Sequence, residues 1–85
     1  MSLPFDILKE VKIQLNLKNP LDAANLQYAL NKNPGIIEAR VTVKGGWVIY
    51  NPKQIKKAKI QKMTNGKILE EKDVEYQKII ERNLD

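Results

Sequence analysis

The sequence has no cysteine and no histidine, and a single tryptophan and a single phenylalanine among its 85 residues. Without Cys there is no thiol nucleophile, thiolate metal site or redox pair. Without His the commonest general base near neutral pH and the commonest imidazole ligand are gone as well, so the composition argues against catalysis by this chain and against a bound cofactor. No apolar run approaches the ~18–20 residues that a membrane span needs, and Met1-Ser2-Leu3-Pro4 is not a basic stretch leading into an apolar core, as a secretion signal is. A cytoplasmic chain, or a cytoplasmic part of a membrane protein, is expected. Internal repeats, low-complexity tracts and Gly/Ser-rich linkers are absent too, which leaves one small domain. A chain of this length buries only about 60–65% of the surface its unfolded form exposes, with no disulfide to supplement that burial.

What is present alternates first and then turns helical. Val11, Ile13, Leu15 and Leu17 are separated by Lys12, Gln14 and Asn16, the period-two pattern of a half-buried strand that begins as early as Ile7. Asn19-Pro20-Leu21-Asp22 then reads as a helix start: Asn caps, Pro at the first helical position loses no needed N–H, and Asp22 falls in the positive first turn. The helix runs to about Asn31 with Ala23, Leu26 and Leu30 toward a sheet, and Asn33-Pro34-Gly35 stops it. Ile37, Ala39, Val41 and Val43 alternate again, Gly45-Gly46 reads as a tight turn, and Trp47-Val48-Ile49-Tyr50 completes a hairpin. After Asn51-Pro52 we expect a second helix from Lys53 to about Thr64. Its periodicity is poor, since Ile60 lies five residues from Ile55, and a hairpin over 58–69 turning at Asn65-Gly66 competes with it. Lys67-Ile68-Leu69-Glu70 reads as a short fourth strand. From Asp73 to Leu84 the spacing of Tyr76, Ile79, Ile80 and Leu84 suggests a third helix, docked on the sheet or facing another segment. The expectation is an α+β domain of ferredoxin-like βαββαβ build over residues 7–70, with a helical extension over 71–85.

In this order the residues resemble the heavy-metal-associated domain of copper chaperones and of metal-transporting P-type ATPases. Leu26-Gln27-Tyr28-Ala29-Leu30 matches that family's helix signature, Asn33-Pro34-Gly35-Ile36 its loop, Ala39-Arg40-Val41-Thr42-Val43 its second strand and Val48-Ile49-Tyr50-Asn51-Pro52 its third. The resemblance spans about Val11 to Ile68 and implies the fold together with a role in metal transport. It fails at the functional motif: the family's two metal-binding thiols fall at positions 19 and 22, where this chain has Asn19 and Asp22. A soft ion such as Cu(I) requires sulfur, and one amide with one carboxylate also falls far short of a calcium or magnesium shell. Both residues are explained as helix caps, and no metal is expected.

Between Ala39 and Leu69 the sequence holds eight basic residues and no acidic one: Arg40, Lys44, Lys53, Lys56, Lys57, Lys59, Lys62 and Lys67. Such a run is either a solvated face or a footprint for an anionic partner. The candidate partner-binding residues are Lys53, Lys56 and Lys57 on the second helix, Lys44 and Arg40 on the hairpin, and Trp47 as an anchor. Base-stacking modules of this architecture carry aromatics on their central strands, and the second strand has none. The close carboxylates Glu70, Glu71, Asp73 and Glu75 lie among basic neighbours, and no glycine-rich loop carries the Arg that an acylphosphatase-like site needs. The sequence thus points to a noncatalytic docking or regulatory domain, similar to a heavy-metal-associated domain without its ligands and belonging to a metal-transporting ATPase or related membrane protein. Its partner is then a protein domain or a segment of the same parent protein. The alternative is a nonspecific nucleic-acid-binding module using the Lys-rich face.

Overall fold

The computed structural model describes residues 7–75. Six elements follow one another: β1 (Ile7–Gln14), α1 (Pro20–Lys32), β2 (Ile36–Thr42), β3 (Gly45–Tyr50), α2 (Lys57–Thr64) and β4 (Lys67–Glu75). The strands form one antiparallel sheet in the order β2-β3-β1-β4, an α+β arrangement compatible with a ferredoxin-like fold. Alternation sorts the side chains between two faces. Val11 and Ile13 of β1, Ala39 of β2 and Val48 and Tyr50 of β3 pack with Leu30 of α1 and Ile60 of α2, so both helices cover the same face. On the opposite, helix-free face Leu8, Ile49 and Val74 make a second cluster, with Trp47 against it.

α1 forms as its start signal dictates. The Asn19 side chain accepts from the Asp22 backbone N–H at 3.0 Å, Pro20 opens the helix, and Ala23 and Leu30 are buried with Leu26 packed beside them. The hairpin differs from expectation. Its turn is Val43-Lys44, while Gly45 and Gly46 are the first residues of β3, paired with Thr42 and Val41. The glycines are needed for close approach: a Cβ at Gly45 would lie 2.2 Å from the Ile13 carbonyl oxygen, and one at Gly46 1.9 Å from that of Arg40. Leu15 and Leu17 continue beyond β1 by donating their N–H groups to the Lys44 and Val43 carbonyls, and so hold the turn against the end of the first strand.

α2 is a helix and not the arm of a hairpin, with Asn65 in the left-handed conformation at its end (φ 52°), but it begins at Lys57 instead of Lys53. Asn51 caps a separate turn: its side chain accepts from Lys53 N–H, and its carbonyl accepts from Gln54 and Ile55 N–H. The break has a packing cause. Residues five apart diverge by about 140° on a helix, so Ile55 and Ile60 could not both be buried on one continuous helix; with extended backbone at Lys56 between them, both are.

β4 corrects the boundary expected at residue 70. It continues to Glu75, because β1 already begins at Ile7 and its first residues take antiparallel partners there: Ile7 opposite Glu75, Leu8 opposite Val74 and Lys9 opposite Asp73. Asp73 is therefore a mid-strand residue in an ion pair with Lys9 at 2.8 Å, and it caps no helix. The remainder of the expected C-terminal helix, including Tyr76, Ile79, Ile80 and Leu84, lies outside the described residues.

Candidate partner-binding surfaces

Cross-strand register assembles a row of four residues on the helix-free face. Arg40 of β2 lies opposite Trp47 of β3, Trp47 opposite Lys12 of β1, and Lys12 opposite Glu70 of β4. Trp47 thus stands half-buried on a central strand between two cations. Beside it runs a shallow groove of about 460 Å³, bounded by Lys12, Thr42, Lys44, Trp47 and exposed Leu69, with Gly45 and Gly46 along it. Its surface is mainly apolar with cationic ends, suited to holding an apolar side chain flanked by negative charge. A second shallow hollow of about 350 Å³ lies between the start of α1 and the end of β2, lined by Pro20, Ala23, Ala24, Gln27 and Val41, and it brings no charged group.

The expected basic residues separate into two sets. Arg40, Lys44 and Trp47 gather at the hairpin end of the helix-free face, whereas Lys56, Lys57, Lys59 and Lys62 project from α2 in the helix layer, with Lys53 in the turn before it. Arg40 lies 3.6 Å from Glu38 and Lys57 3.6 Å from Glu71. Lys12 and Leu69, which complete the groove, come from strands far from the hairpin in sequence and carry no local signal. A trace of the second face is legible in Trp47-Val48-Ile49-Tyr50, an unbroken apolar run, since a strand apolar on alternate residues only would have a single buried face.

Three of the carboxylates that crowd β4, Glu70, Glu71 and Asp73, are engaged by neighbouring elements. Glu70 pairs with Lys12 at 3.5 Å, Asp73 with Lys9, Lys72 with buried Glu10 at 3.8 Å, and Glu71 with both Lys57 and Tyr50. The Tyr50 hydroxyl donates to Glu71 at 2.9 Å; burial, and then this bond to a carboxylate, hold the phenol well above its ordinary pKa. The Lys9 ammonium is raised by its hydrogen bond and charge pairing with Asp73. These contacts tie β4 to β1, β3 and α2, a structural use of the same groups that acid–base chemistry would need. At positions 19 and 22 the Asn19 oxygen is taken up in the helix cap, and among the described residues no group of three or more Asp or Glu side chains is placed to hold a metal ion. No helix there is long and apolar enough to cross a membrane.

Comparison with known proteins finds no matching family model, no matching curated protein and no matching solved structure.

Proposed function

We propose that this chain is a noncatalytic docking domain of ferredoxin-like βαββαβ build, which receives an acidic protein segment on its helix-free face. The Trp47 groove carries the reading: an amphipathic ring at the centre of a sheet face, apolar walls around it, and Lys12, Lys44 and Arg40 at its margins. Aromatic anchors framed by charge are the parts of an interface that concentrate binding energy. The ion-paired state of the β4 carboxylates supports a noncatalytic role. The resemblance to a heavy-metal-associated domain lacking its thiols adds the proposal that the parent protein is a metal-transporting ATPase or a relative, with regulation in place of metal delivery.

Trp47 is the only tryptophan, so its emission reports on the groove directly. A displayed library of acidic peptides containing one Leu or Phe is expected to yield binders that shift this emission to shorter wavelength. Lys44→Glu should weaken them about tenfold or more, the cost of about 1.4 kcal/mol when an attraction becomes a repulsion. A library without such binders, or binders indifferent to Lys44→Glu, would remove the docking reading.

A further inference from the structure

We infer that the outer side of α2 is a second, separate surface that grips the phosphate backbone of a nucleic-acid strand. Lys56, Lys59 and Lys62 recur every three residues along this helix, all three exposed. At 1.5 Å per residue their Cα atoms span roughly 9 Å, so the ammonium groups reach more than one successive phosphate. Among the described residues none of the three is in an ion pair, in contrast to Lys9, Lys12, Lys57 and Lys72, which lie against sheet carboxylates. The stretch from Asn51 to Leu69 has six lysines and no acidic residue. Among the described residues negative charge is thus confined to the sheet and α1, and α2 carries positive charge alone.

That charge is set against the helix's own preference. The N-cap residue of α2 is Lys56, no side chain caps it, and the first turn contains no acidic residue, although cations are unfavourable at the positive end of a helix. α1 has both an Asn cap and Asp22. Lys56 at the cap and Lys59 in the first turn therefore reduce the stability of the element that displays them, as expected when a surface is shaped by a ligand, whereas Lys62 in the last turn suits the dipole. The contacts are with phosphates, so binding is independent of base sequence and driven by counterion release.

The test is the fluorescence anisotropy of a labelled 20-nucleotide oligothymidine, titrated with the full chain at low and at near-physiological salt. Displacement of counterions from three or four phosphates on a single strand predicts a slope of log affinity against log salt of about −2 to −3. The Lys59→Gln, Lys62→Gln double variant should lose about tenfold in affinity at low salt and flatten that slope by roughly 1.4. Lys56→Ser should weaken binding while raising the melting temperature, because it supplies the missing cap. Lys44→Gln, in the groove, should leave strand binding unchanged, so the two surfaces fail or succeed separately. No binding at low salt, binding unaffected by the α2 variants, or binding to phosphatidylserine vesicles but not to the strand would each overturn the inference.

Discussion

Tyr50 shows at the scale of one residue how the sheet is locked to its edge. Its ring is in the core under the helices, and its hydroxyl reaches the Glu71 carboxylate, which Lys57 also approaches. The phenol's pKa is raised in the folded state, so the stabilisation is complete below the unfolded value of about 10 and lost as pH climbs above it. Urea midpoints are expected to fall more steeply between pH 9 and 11 in the native protein than in Tyr50→Phe. At pH 7 the same substitution should cost about 1 kcal/mol, the usual worth of a hydrogen bond whose acceptor keeps another partner. Parallel pH profiles for the two proteins would show that the hydroxyl does not contribute in this way.

At the scale of elements, α1 does more than cover the sheet. β2 is an edge strand, and Gln27 and Asn31 of α1 reach its outer backbone: Gln27 accepts from Val41 N–H at 2.9 Å, while Asn31 accepts from Ala39 N–H at 3.0 Å and donates to the Ala39 carbonyl at 3.2 Å. Side-chain amides thus occupy the positions where another strand would add, one way in which an exposed edge is protected from association. The Gln27→Ala, Asn31→Ala double variant should lose about 2–3 kcal/mol in urea unfolding, from three bonds of about 1 kcal/mol each. It should also form larger species detectable by light scattering at concentrations where the native chain does not. Loss of stability without association would confine the amides to a local role.

On the scale of the whole molecule, two proposed binding surfaces of different character lie on different sides of one small domain. The helix-free face offers an apolar groove with charged margins, and the helix layer offers a lysine ridge. The surface that would distinguish a metal carrier is used instead to cap α1, through the bond from Asp22 N–H to Asn19. In competition with a Cu(I) chelator the chain is expected to leave the chelator loaded, because oxygen ligands do not compete for a soft ion. Removal of copper from the chelator at equimolar protein would restore metal carriage as the function.

The identity of β1, α1, β2 and β3, the α1 cap, the core positions Val11, Ile13, Ala23, Leu30 and Ala39, and the segregation of charge along the chain follow from local periodicity and composition. These are properties of neighbours in sequence, which is why residue order alone determines them. The hairpin turn at Val43-Lys44, the late start of α2 and the continuation of β4 to Glu75 were decided by contacts between distant residues: the Ile13 and Arg40 carbonyls against the glycines, Ile55 and Ile60 sharing one core, and the first residues of β1 taking partners. The Arg40–Trp47–Lys12 row belongs to the same class. Its members come from three strands, and only the register of an antiparallel sheet, fixed by side chains buried on both faces, sets them side by side.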